Sequence, residues 1–139
     1  MATRGYGTRV GVLAGWRFCP RCASSLDHRG SRVEWDVPGG FLEEAEDPLA
    51  GLRRELFEET GVEIVVGRFV GAFTDTYGNG PDANAVLNLL WEAKIARGEP
   101  VAADDVSELR WFSPVGLPAD GELAFRWLAP FLRGWASAA

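Results

Sequence analysis

At 139 residues the chain is long enough to bury one hydrophobic core and leaves little room for a second module. Hydrophobic residues are 47% and charged residues 24%, the balance of an ordinary globular protein, and no apolar run reaches the roughly 18 residues of a membrane span. The net charge of −6 argues against tracking of a nucleic-acid backbone, which requires a basic face, but not against a small phosphate compound whose charge a bound cation offsets.

Met1 to Gly5 lacks the apolar stretch of a secretion signal, so the expected location is cytoplasmic, without membrane partners. Thr8 to Ala14 reads as a short strand weakened by Gly11. Phe18-Cys19-Pro20-Arg21-Cys22 follows, with the only two cysteines of the chain. One such pair supplies two thiolates, and a structural zinc site takes four ligands. Asp27 and His28, or a second chain in a homodimer, would have to complete it. Zinc, two reduced thiols and a redox pair all stay open. Ser31 to Val37 alternates as a strand and ends in a turn at Pro38-Gly39-Gly40.

The next segment has both of its ends marked. Asp47 suits a helix N-cap, Pro48 the first helical position, and Gly61 the left-handed residue after the last turn. Leu49, Leu52 and Leu56 form an apolar stripe at helical spacing. Glu55, Glu58 and Glu59 fall at i, i+3 and i+4, so three carboxylates share a face. Folding alone does not favour that repulsion; a divalent cation offsets it.

Beyond Gly61, Ile64 to Thr74 is a β-rich run broken by Gly67 and Gly71, and Asp75 to Pro81 is rich in turn residues. Ala85 to Ala96 reads as a long strand forming a hairpin with the run before it. Asp104 and Asp105 open a loop, Ser107 to Phe112 is a further short strand, and Glu122 to Trp135 has the apolar spacing of a closing helix. Mixed strands with one central and one C-terminal helix predict an α/β/α sandwich with a mixed sheet. The expected organisation is a 1–35 segment carrying the cysteine pair, followed by a 36–139 domain, compact as a whole.

Gly40, Glu46, Arg54, Glu55, Leu56, Glu58, Glu59, Gly61 and Val62 resemble, position for position, the Nudix box, G-x5-E-x7-R-E-U-x-E-E-x-G-U with U aliphatic. The resemblance extends to the preceding Trp-Asp-Val-Pro-Gly-Gly and implies the Nudix fold. It implies Mg²⁺ or Mn²⁺ held by Glu58 and Glu59, with the Gly40 carbonyl oxygen and Glu55 as further ligands, or Glu55 as base. Arg54 is implied as the orienting partner of a box carboxylate. Glu46, Gly39 and Gly61 are implied as structural support. Family members often carry an extra ligand or base on the loop before the last strand, where Asp104, Asp105 and Glu108 are the candidates here.

Phe-Cys-Pro-Arg-Cys resembles half of the zinc ribbon in the NADH pyrophosphatase branch, and the second half is missing. Either Thr8 to Ala14 stands in for the first strand of the sheet, or the N-terminal strands are reduced. The later signature of that branch is also missing, which argues against NADH. Tyr77 lies near where dinucleoside polyphosphate hydrolases place a tyrosine, and is the candidate for stacking on a base. The resemblance implies a MutT-like Mg²⁺-dependent pyrophosphatase acting on a nucleoside diphosphate linked to another moiety, ADP-ribose-like compounds first. The alternatives are nucleoside triphosphate cleansing and a non-catalytic nucleotide binder.

Overall fold

The computed structural model describes residues 7–14, 18–23, 33–77, 81, 84–104, 106–113, 115–125 and 127–138, with only the backbone described at 7, 12–14, 18–23, 33, 77, 84, 107 and 138. Two sheets form. The first contains β1 (Gly7–Ala14), β4 (Gly39–Phe41), β5 (Glu63–Tyr77) and β6 (Asn84–Arg97) in the order β4-β1-β6-β5. It is mixed, because β1 runs parallel to β6 while β4 and β5 are antiparallel to their neighbours. The second contains β2 (Phe18–Ala23), β3 (Val33–Trp35) and β7 (Val106–Trp111), antiparallel in the order β3-β2-β7.

The N-terminal strands are therefore not lost. The 8–14 segment stands in the interior of the first sheet, and β2 is the middle strand of the second. Cys19 and Cys22 lie in strand β2, which pairs with β7. Their side chains, and Asp27 and His28 altogether, fall outside the described residues.

Helix α1 (Pro48–Thr60) covers one face of the first sheet. The Asp47 side chain accepts from the Ala50 N–H, and Gly61 takes φ 73° while its N–H donates to the Phe57 carbonyl. Leu52 and Leu56 are fully buried against Val10, Val62, Ile64 and Ala93. Helix α2 (Leu128–Ala138) covers the other face, where Trp35, Val37, Leu90, Leu123, Leu128 and Leu132 are buried together. Period-two alternation along β6 serves both faces: Leu90 points to α2, while Leu89 and Ala93 belong to the α1 side.

Two elements differ in extent from the sequence reading. The glycines of the β5 run do not end the strand; register shifts against β6 fall around Gly67 and Gly71, so the extra residues are absorbed as bulges. The last helix begins at Leu128, not Glu122. Pro130 lacks an N–H and its ring clashes with the carbonyl four residues back, so it is tolerated only in a first turn. Residues 120–122 form a short 3-10 turn, and Leu123 bridges to Trp35.

Candidate active site

The segment from Gly39 to Thr60 forms a strand, a loop and a helix folded back on one another. The loop turns at Ala45, with φ 59°, and its Leu42 N–H donates to the Thr8 carbonyl of β1. This brings Glu46 beside α1, eight residues before the arginine it meets.

Arg54 is the centre of the arrangement. Its Nε and Nη2 donate to the two carboxylate oxygens of Glu46 at 2.7 and 2.9 Å, a bidentate pair. Its Nη1 donates to Glu55 at 2.8 Å and to Glu58 at 3.2 Å. Nη2 also donates to the Phe41 carbonyl at 3.1 Å, so each N–H of the guanidinium has an acceptor. The bond from Arg54, joined by one from the Glu43 N–H, pulls the Glu46 carboxyl down to about 2. In return Glu46, then Glu55, push Arg54 further above its ordinary value. The helical acid cluster is thus neutralised in part by a side chain of the same helix.

Glu59 points elsewhere. It is only 5% exposed, and its carboxylate accepts the Gly39 N–H at 3.1 Å. Of the carboxylates at i, i+3 and i+4, Glu55 and Glu58 accept from Arg54 and Glu59 accepts from the strand entry. Both glycines of that entry have steric reasons. A Cβ on Gly39 would lie 1.9 Å from the Val10 carbonyl oxygen of β1, at a backbone φ of 156°. One on Gly40 would lie 2.2 Å from a carboxylate oxygen of Glu55, so that side chain packs directly on the strand. Gly51, which the sequence reading did not single out, is buried where a Cβ would meet Leu42 and Glu46. It falls on a free position of the box, between Glu46 and Arg54, so the motif carries no signal for it.

The sequence motif includes Asp36 but gives it no partner, and Arg9 carries no motif at all. Asp36 is buried, accepts the Val37 N–H at 2.7 Å, and pairs with the Arg9 guanidinium at 2.8 Å. No local pattern links residues 27 positions apart.

The outer candidates lie around this centre. The loop before β7 docks on the end of α1, with the Val101 and Ala103 N–H groups donating to the Thr60 and Glu59 carbonyls. Asp104 follows at once, exposed and with φ 57°. Glu108 lies in β7 and pairs with Arg110. Asp105 is outside the described residues, as is the Tyr77 side chain.

Among the described residues no three His, Cys, Asp or Glu side chains converge as a ready-made metal cage. The donor chemistry nevertheless fits a hard cation. Glu55, Glu58, Glu59 and the Gly40 carbonyl offer oxygen alone, which suits Mg²⁺ or Mn²⁺. Glu58 is 46% exposed and makes the longest of the carboxylate bonds to Arg54, so it turns toward an arriving ion most readily.

The NUDIX domain family model matches residues 6–132. The chain belongs to the Nudix family. It is 28% identical over 86 residues to a MutT-like protein of Streptomyces ambofaciens, covering 62% of this chain and 52% of that protein. It is 31% identical over 96 residues to an 8-oxo-(d)GTP phosphatase of Mycolicibacterium smegmatis, covering 69% of this chain and 27% of that protein. It spans about half or less of the length of these curated relatives. A NUDIX hydrolase structure from Nitrosomonas europaea superposes with a TM-score of 0.76 at 21% identity, over 98% of this chain and 73% of that one. That likeness shows the α/β/α Nudix fold. Among the described residues no helix is long and apolar enough to cross a membrane.

Proposed function

We propose that the chain is a divalent-cation-dependent pyrophosphohydrolase, cleaving the phosphoanhydride of a nucleoside diphosphate linked to another moiety. The observation that carries this reading is the Arg54-centred acid cluster laid against Gly39-Gly40, a construction that folding alone does not explain. Glu58 and Glu59 would hold Mg²⁺ or Mn²⁺, with Glu55 and the Gly40 carbonyl beside them. When bound there, the ion supplies positive charge against the phosphate oxygens.

The chain's own residues do the rest by placement. Arg54 aims Glu55 and Glu58, and it keeps Glu46 clamped so that the loop cannot drift from the helix. Gly39 fixes the Glu59 carboxylate through its N–H. Glu55, or an acid of the 104–108 region, accepts the proton of the attacking water, a step that ordinarily contributes about 10²–10⁴ in rate.

ADP-ribose-like compounds are the first substrate reading. Nucleoside triphosphates are the second, favoured by the similarity to the 8-oxo-(d)GTP phosphatase. Turnover of a panel holding ADP-ribose, NADH, a dinucleoside polyphosphate and nucleoside triphosphates, with Mg²⁺ and product identification, tests both. Glu58→Gln should fall by at least about 10²-fold on whichever substrate is used, the scale expected when an electrostatic element of the transition state is removed. Equal rates for wild type and Glu58→Gln would leave only nucleotide binding.

A further inference from the structure

The ion pair between buried Asp36 and half-buried Arg9 has no place in the chemistry above, yet Asp36 lies three residues from the glycine that holds Glu59. We infer that Arg9 and Asp36 are positioning residues, which set the Asp36–Gly40 strand entry so that Gly39 and Gly40 meet the carboxylates of α1. The inference rests on the reading of Glu58 and Glu59 as cation ligands.

Stability alone does not select such a pair. Burying the Asp36 carboxylate and much of Arg9 costs desolvation that their attraction only partly offsets, and apolar side chains of the same volume often do as well. What the pair offers is direction. Asp36 uses one oxygen for the Val37 N–H and the other for Arg9, so its carboxylate fixes the backbone just before Pro38-Gly39. Arg9 is fixed in turn, with its guanidinium carbon 5.7 Å from the Phe41 ring centroid and 5.0 Å from that of Phe125. In the β1–β4 ladder Arg9 stands opposite Phe41 and Gly11 opposite Gly39.

The strand entry is therefore held on the β1 side at two points: the ion pair at Asp36, and backbone packing at Gly39, where a Cβ would strike Val10. On its other side lie Glu59, bonded to the Gly39 N–H, and Glu55, packed on Gly40. Loosening the first point lets the second shift, and the carboxylates lose their reference.

The test uses two conservative variants, Asp36→Asn and Arg9→Lys, with Arg68→Met as a control. Arg68, on the edge strand β5, also forms an ion pair, with Glu92 of β6, and neither residue belongs to the strand entry or to α1. The first measurement is exchange of the Gly39 amide by NMR in metal-free protein. The second is Mn²⁺ affinity by calorimetry, and the third is kcat and KM separately.

Each of the two variants should exchange Gly39 faster, weaken Mn²⁺ binding by about 10-fold or more, and lower kcat with KM nearly unchanged, the scale of supporting partners around metal ligands. Arg68→Met should move none of the three. Should Asp36→Asn not fold, Arg9→Lys, which keeps the charge and loses the planar fork, decides alone. Wild-type Gly39 exchange and Mn²⁺ affinity in a folded variant would overturn the inference. A wild-type protein that binds no Mn²⁺ would overturn the hydrolase reading instead, and the Gly39 exchange rates would still decide this one.

Discussion

Gly39 and Gly40 are adjacent, and the same substitution should harm them in different ways. At Gly39 the new Cβ would meet the Val10 carbonyl at 1.9 Å and the Gly11 Cα at 2.7 Å, both of them backbone of an interior strand. Neither can move without disturbing the sheet. Overpacking costs about 1–3 kcal/mol and an L residue at φ 156° adds about 1–3 kcal/mol more. Together these come to about 2–6 kcal/mol, a fall in Tm of about 6–24 °C at about 3–4 °C per kcal/mol for a domain of this size.

At Gly40 the Cβ meets only the carboxylate end of Glu55, at 2.2 Å, and that side chain can swing away. The swing breaks the 2.8 Å bond to Arg54, a part-exposed ion pair of about 1 kcal/mol or less. Part of that is regained because alanine narrows the unfolded ensemble. The expected Tm change is within about 4 °C. Activity should nevertheless fall by about 10²-fold, the usual effect of displacing a reacting group by about 1 Å. Thermal unfolding by circular dichroism and turnover at 25 °C separate the two outcomes. A Gly40→Ala protein that melts as early as Gly39→Ala, or that keeps wild-type turnover, would refute this difference between the two glycines.

Other perturbations probe the parts around this pair. The Glu46 carboxyl sits at about 2 against an ordinary 4.5, so its contribution to stability is complete above pH 4.5 and is lost as pH falls through 2. The Tm gap between wild type and Glu46→Gln should close over that window, and a gap independent of pH would contradict the assignment. Leu56→Ala, at a site 1% exposed, should cost about 2–5 kcal/mol, read as the shift in denaturation midpoint. A cost below about 1 kcal/mol would mean that the α1 core collapses around the gap. Mn²⁺ at about 100 times its Kd should stabilise the wild type by about 2.7 kcal/mol and Glu58→Gln far less. Equal stabilisation would move the ion away from Glu58.

Much of this molecule was legible because its signals are local. The cap at Asp47, Pro48 and the left-handed Gly61 act within one turn of α1. Long β5 and β6 alternate and sit next to each other in sequence, so their antiparallel pairing could be read directly. The apolar stripe of α1 and the acids beside it follow from the 3.6-residue period.

The rest depended on contacts that no local pattern encodes. Spacing alone put Glu55, Glu58 and Glu59 on one face, and tertiary packing gave them different partners: Glu55 and Glu58 accept from Arg54, while buried Glu59 accepts the Gly39 N–H. Pro130 moved the start of α2 to Leu128, since its ring is tolerated only where no helical carbonyl lies four residues back. Parallel pairing of β1 with β6, the strand carrying Cys19 and Cys22, and the Arg9–Asp36 pair all join distant parts of the chain. Sequence determined which side chains could do chemistry here, because periodicity and capping are properties of a single segment. Only the folded chain decided how they are aimed, because aim is set by neighbours that the sequence keeps far apart.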